Sequence, residues 1–116
     1  MFVAYVVITI TTIVATAYAA GADFSRAGFV LKTMTEVGVN EAWLPSLGAL
    51  KAAGAMGLLI GLVEVRPLGT AAAIGLVLFF VGALVTHVRA RVLYNIAFPG
   101  LFFALAVASL VLSATE

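Results

Sequence analysis

Cysteine is absent from this chain, and charge is almost absent too. Without a thiol there can be no disulfide, no thiol redox chemistry and no cysteine-ligated metal. Charged residues make up 9% of the sequence, against about 25% in a soluble domain, so there is little with which to clothe a surface in water. The six Lys and Arg against five Asp and Glu leave a net charge of +1 and form no basic run. That excludes the electrostatic footprint of a nucleic-acid binder. What is present is apolar: 65% of the 116 residues are hydrophobic, and the mean hydropathy is +1.26. Lipid is therefore the solvent for most of the surface.

Four apolar stretches follow one another, at 2–20, 45–63, 67–88 and 92–113. Each approaches the roughly 20 residues a helix needs to cross about 30 Å of hydrocarbon. Backbone exposed to lipid must satisfy its own hydrogen bonds, and the alternating segments of a membrane barrel are missing, so the spans are helices. Ala17-Tyr18-Ala19-Ala20-Gly21 has the small-residue form of a signal-peptidase site. The run before it is long and holds no Lys or Arg, so it reads as a retained span. The expected fold is all-α: one integral membrane four-helix bundle over residues 1–116, without an appended soluble module.

The linkers differ in length. Glu64-Val65-Arg66 joins spans 2 and 3, and Arg89-Ala90-Arg91 joins spans 3 and 4, so both pairs are expected to be antiparallel hairpins. Spans 1 and 2 are separated by residues 23–43. There Phe24, Ala27, Leu31 and Met34 recur at helical spacing, while Arg26, Thr33 and Glu36 lie away from them. Asp23 or Ser25 is placed to cap this segment and Gly38 to end it. It reads as an amphipathic interfacial helix, with Trp43 at headgroup level and Pro45 in the first turn of span 2. Loops 1 and 3 share one membrane side and carry Arg26, Lys32, Arg89 and Arg91; the other side carries Arg66 alone. The bias places loops 1 and 3 in the cytoplasm and both termini outside.

Polar residues gather at the loop 1 and loop 3 end. Lys51 lies six residues after Pro45, about 9 Å along the helix axis. Two readings stand open. In one, its stem snorkels to the headgroups. In the other it faces the bundle and pairs with a carboxylate such as Glu36 or Glu41, with Gly48, Gly54 and Ala55 letting a neighbouring helix come close. Gly57-Leu58-Leu59-Ile60-Gly61 is a GxxxG match of the same kind. His87 and Arg91 stand four apart at the end of span 3. They read either as interfacial anchors or as groups that contact a ligand; one His without a second ligand makes no metal site. In span 4, Pro99 crowds the carbonyl of Asn95, which predicts a kink beside Asn95 and Tyr94. Arg26, Lys51, His87, Arg91 and Asn95 are thus the candidate ligand-binding residues. A polar mouth above an apolar bundle suits an amphipathic ligand such as a quinone or a lipid, and equally a docking surface for a cytoplasmic partner. No catalytic residue is assigned.

The chain resembles the DoxX-like family of small four-helix bacterial membrane proteins. The resemblance is carried by Phe24-Ser25-Arg26, by Pro45-Ser46-Leu47-Gly48-Ala49-Leu50-Lys51, by Gly57 to Gly61, by Arg66-Pro67-Leu68-Gly69 and by His87-Val88-Arg89. It implies a multi-pass protein of the bacterial inner (plasma) membrane. Named members of the family are similar to membrane subunits tied to thiosulfate:quinone oxidoreduction, or to anchors of oxidative-stress complexes. Two functions are carried forward. One is a non-catalytic subunit or anchor that binds a lipophilic molecule or partner at the polar end. The other is a quinone-linked redox subunit with Lys51 and His87 on the quinone head. A homo-oligomer through Gly/Ala faces is expected in either case. Small multidrug resistance transporters share the size and span number, but they depend on a carboxylate in the first span, which 2–20 lacks.

Overall fold

The computed structural model describes residues 2–64, 66–91 and 96–115. Its elements are α1 (Phe2–Phe24), α2 (Gly28–Val37), α3 (Leu44–Val63), α4 (Arg66–Arg89) and α5 (Ala97–Thr115), with a 3₁₀ turn at Glu41–Trp43 leading into α3. There is no strand among the described residues. α1, α3, α4 and α5 are each long and apolar enough to cross a membrane. The all-α membrane bundle expected from the sequence is the architecture found. Its longest dimension is 40 Å, about the thickness of a bilayer with its headgroups.

The spans form a closed ring: α1 packs on α3, α3 on α4, α4 on α5, and α5 returns to α1. Short connections make this antiparallel order the natural one. The surface is apolar and the interior partly polar. Val3, Val7, Ile10 and Val14 of α1 face outward, as do Leu78 and Val85 of α4 and Leu101 of α5. Thr9, Thr12, Thr16, Ser109 and Ser113 are buried, beside an apolar core of Leu58, Ala73, Leu76, Phe80 and Ala106. Lipid tails supply no hydrophobic drive between helices, so small residues and hydroxyls hold such a bundle together. Hydroxyls that face lipid satisfy themselves: Thr11 donates to the Val7 carbonyl at 2.8 Å, one turn back.

α1 and α5 are joined by the Thr12 and Ser109 hydroxyls, 2.8 Å apart. Thr12 also reaches the Ile8 carbonyl at 2.8 Å, so it keeps a partner without Ser109. Ser109→Ala is therefore expected to lower stability by only about 0.6 kcal/mol, the mean for interhelical hydrogen bonds in membranes. Unfolding of the variant beside the wild type in the same detergent measures this.

At the opposite end of the bundle Arg66 ties three spans. Its guanidinium lies 4.4 Å from the ring centre of Tyr5 and donates to the Ser113 carbonyl at 3.4 Å. Thr70 and Ser113 share a short hydroxyl contact beside it.

The GxxxG match serves contacts within the chain. A Cβ on Gly57 would meet the Ala72 side chain at 2.7 Å, and one on Gly61 would run into the backbone of Gly69. Gly57 and Gly61 thus seat α3 against α4, as expected of a hairpin between helices that end at Val63 and begin at Arg66. The face expected to flank Lys51 is divided. Gly48 packs on Asp23 and Phe24 of α1, whereas Gly54 packs on Leu76 of α4.

Several boundaries move. α1 runs on to Phe24 and takes in Asp23, which the sequence had placed in the linker as a cap. It ends because Arg26 adopts a left-handed φ of 54°, letting Ala27 N–H reach back to the Ala22 carbonyl at 3.0 Å. α2 has Ala27 at its N-cap with no side-chain cap; Ser25 instead bonds the Ala22 carbonyl at 3.3 Å. Gly38 ends α2 as expected, at φ 76°. Of the four residues expected on its apolar side, Met34 is buried and Leu31 half-buried, while Phe24 is exposed in α1. α4 stops at Arg89, and Arg91, at φ 59°, is left-handed in its turn. α5 starts at Ala97 rather than 92. Pro99 therefore sits in a first turn of α5, where the amide it lacks has no helical partner to lose; the Asn95 carbonyl at which a kink was expected lies outside the described residues.

Candidate functional site

The site begins with a stripe on α1. Tyr5, Thr9, Thr12, Thr16, Ala20 and Asp23 recur every three or four residues and all are buried. Asp23 is thus the last buried position of the face that turns to the other helices. Opposite it stands Lys51, one turn after Gly48 on α3. A Cβ on Gly48 would lie 3.2 Å from the Asp23 Cβ. The bare glycine lets α1 and α3 approach until Lys51 Nζ donates to Asp23 Oδ2 at 2.9 Å. Asp23 is 3% exposed and the Lys51 side chain 15%. Lys51 Nζ also lies 5.4 Å from the ring centre of Phe79, a cation–π contact. Lys51 is thus held inside the bundle rather than lifted to the headgroups.

Lys51 pairs with Asp23, a carboxylate that the sequence had placed in the linker. Glu36 is exposed on α2, and the side chain of Glu41 lies outside the described residues. Asp23 was missed because a hydropathy boundary at Ala20 assigned it to a loop. The signal was present all the same: Asp23 follows Thr16 by seven residues, two helical turns, on the face marked by the threonines. The first span therefore does contain a carboxylate, and the ground used to set aside the cation transporters is corrected. Asp23 is already neutralised by Lys51 at 2.9 Å, which leaves it without the free charge such a carrier needs.

His87 reaches the same region from α4. It is buried, and its Nδ1 donates to the Ala83 carbonyl at 3.0 Å. In the neutral ring that bond fixes the proton on Nδ1 and leaves Nε2 as an acceptor. Nε2 is buried and has no partner among the described residues. An acceptor in that position costs about 1–3 kcal/mol of lost hydration.

Asp23, Lys51 and His87 share the wall of one cavity of about 990 Å³. α2 and the ends of all four spans line this half-open cavity; apart from the polar groups, which include Lys32 of α2, its lining is largely apolar, with Phe29, Met34, Leu47, Phe79 and Phe102 prominent. Trp43, the one tryptophan of the chain, stands on the same wall. This is the form of a site for a lipophilic molecule: a mostly apolar volume with a few convergent polar groups.

Of the candidate residues, the fold thus brings Lys51 and His87 together. Arg26 and Arg91 do not line the cavity; both are exposed, in turns just past α1 and α4. Asn95 and Tyr94 lie outside the described residues.

Four apolar spans around such a cavity define a multi-pass membrane protein. The family model described as the DoxX-like family matches residues 7–109, and the chain belongs to that family. No curated protein and no solved structure matches the chain.

Proposed function

We propose that this DoxX-like protein is a non-catalytic membrane subunit or anchor that holds a lipophilic molecule in the cavity beneath α2. The observation that carries this reading is the joining of 990 Å³ of mostly apolar volume to a few polar side chains on its wall, Asp23, Lys32, Lys51 and His87 among them. A ligand would lie with its head among these groups and its apolar part among the aromatic rings. The bias of Arg26, Lys32, Arg89 and Arg91 to that end of the bundle supports a place on the cytoplasmic side of a bacterial inner membrane, where a cytoplasmic or membrane oxidoreductase partner would meet it.

A quinone-linked redox subunit is the second reading, favoured by Lys51 on the cavity wall. Its ammonium gives one N–H to Asp23 and has two more to offer, so it can bind a quinone carbonyl. The redox chemistry would be that of the quinone itself. In this reading Lys51 and His87, both on the cavity wall, contact the quinone head.

The test uses Gly82, which lines the cavity and has open space where a Cβ would go. Gly82→Phe puts a ring into that space without backbone conflict. In native mass spectrometry of detergent-extracted protein, the wild type is expected to retain a lipophilic molecule of defined mass that Gly82→Phe has lost. Equal retention by both proteins would refute the cavity as the binding site. The same spectra report the oligomeric state.

A further inference from the structure

The charges on the cavity wall specify the head of the ligand, an inference that rests on the binding function proposed above. We propose that the cavity selects a lipophilic molecule whose head carries a single negative charge, with Lys32 as its counter-ion. The first observation is the charge count. Beside His87, the charged side chains on the wall are Asp23, Lys32 and Lys51. Asp23 and Lys51 cancel each other at 2.9 Å, which leaves the positive charge of Lys32 unmatched. Lys32 makes no hydrogen bond or ion pair with a described residue. Glu36 follows it at the spacing of a helical ion pair, but lines no part of the cavity.

The second observation is what surrounds that charge. Lys32 stands on α2 among Phe29, Val30 and Met34, which line the same volume. Lys32 is exposed, so its long stem keeps the ammonium hydrated until a ligand arrives. The sign is the same next door. A smaller cavity of about 370 Å³ shares Val37, Val39 and Thr86 with the first, and Arg89 is the one charged residue among its described lining. Arg89 too is exposed and makes no ion pair with a described residue. An anion that slides its chain into the apolar volume thus keeps a countercharge at the open side. A cation meets repulsion there and has no free carboxylate to reach, since Asp23 is 3% exposed and already paired. Burying an ion without such a partner is expensive. The carboxylate of a free fatty acid and the phosphodiester of a membrane lipid both supply the head described.

The experiment uses three probes of one chain length: tetradecyl sulfate, 1-tetradecanol and tetradecyltrimethylammonium, with negative, neutral and positive heads. The protein is held in phosphatidylcholine nanodiscs, which carry no net charge. Binding is read from the fluorescence of Trp43, the one tryptophan of the chain and part of the cavity wall. The wild type is expected to favour the sulfate over the alcohol, and the alcohol over the ammonium. In Lys32→Gln the preference for sulfate over alcohol should fall about fivefold, the upper end for an exposed charge pair. Partition of each probe into the bilayer cancels in that comparison. Arg91→Gln removes the same charge from the same end of the protein, but off the cavity wall; it should change the preference by less than about twofold at physiological ionic strength. An equal fall in both variants, or none in Lys32→Gln, overturns the anion inference and leaves the cavity reading standing. If all three probes bind Gly82→Phe as they bind the wild type, both readings fall. Phosphatidylglycerol added to the bilayer separates the two sources: sulfate binding is lost where the phospholipid head is the ligand and kept where a free single-chain anion is.

Discussion

Lys51→Met is expected to destabilise the protein by about 3 kcal/mol, more than Asp23→Asn does at the other end of the same ion pair. Removing one partner of a buried pair leaves the other charge stranded, at a cost of about 3–5 kcal/mol; the partial exposure of Lys51 argues for the lower end. The two ends are unequal because the side chains differ in reach. Asp23 is 3% exposed on a stem of one carbon, so without Lys51 its charge has nowhere to go. Lys51 has four methylenes and starts about 9 Å from the interface; it can lift its ammonium to the headgroups. Asn at position 23 also keeps an oxygen for it to approach. Asp23→Asn should therefore cost about 1 kcal/mol. The double variant should be more stable than Lys51→Met alone, since it removes the stranded carboxylate. Thermal unfolding in one detergent tests the order, with a fall in Tm for Lys51→Met on the order of 10 °C. An Asp23→Asn variant as damaged as Lys51→Met would mean that Lys51 cannot escape, and the asymmetry would fail.

Gly61→Ala should be the most damaging small substitution in the spans. Its Cβ would overlap the backbone of Gly69, and no rotamer change moves a backbone. α3 and α4 would have to separate beside the tightest turn of the fold, which places the cost at about 3 kcal/mol or more. Gly69→Ala is milder, because its Cβ would stand 3.1 Å from the Gly61 Cα. At Gly75 there is open space for a Cβ, and Ala there should be neutral or slightly stabilising. The ranking Gly61, Gly69, Gly75 can be read from the folded fraction of the three alanine variants across a denaturant titration. A Gly61→Ala protein as stable as Gly75→Ala would show that the α3–α4 contact is not so close.

The four spans were legible because hydropathy is local: each span carries its own apolar run, and lipid permits no alternative to a helix. The end of α2 at Gly38 and the place of Pro45 were legible for a similar reason, since both depend on backbone geometry within a few residues. Boundaries set by polar residues were not. Asp23 looks like a loop residue to any measure of hydropathy, yet it belongs to α1 because its charge is neutralised from another helix. The kink expected at Pro99 likewise depended on where α5 starts, and α5 starts two residues before it.

The sequence by itself determined that this is a membrane protein of four spans with its polar groups crowded at one end, because composition and spacing are properties of the chain alone. The tertiary structure decided which of those groups meet. It set Lys51 against Asp23, turned the Gly57–Gly61 face onto α4, and left Arg26 and Arg91 in exposed turns away from the cavity. It also left His87 Nε2 without a partner among the described residues. Such pairings are fixed by how closely two helices approach, and that distance is set by glycines on one helix and the side chains they admit from another.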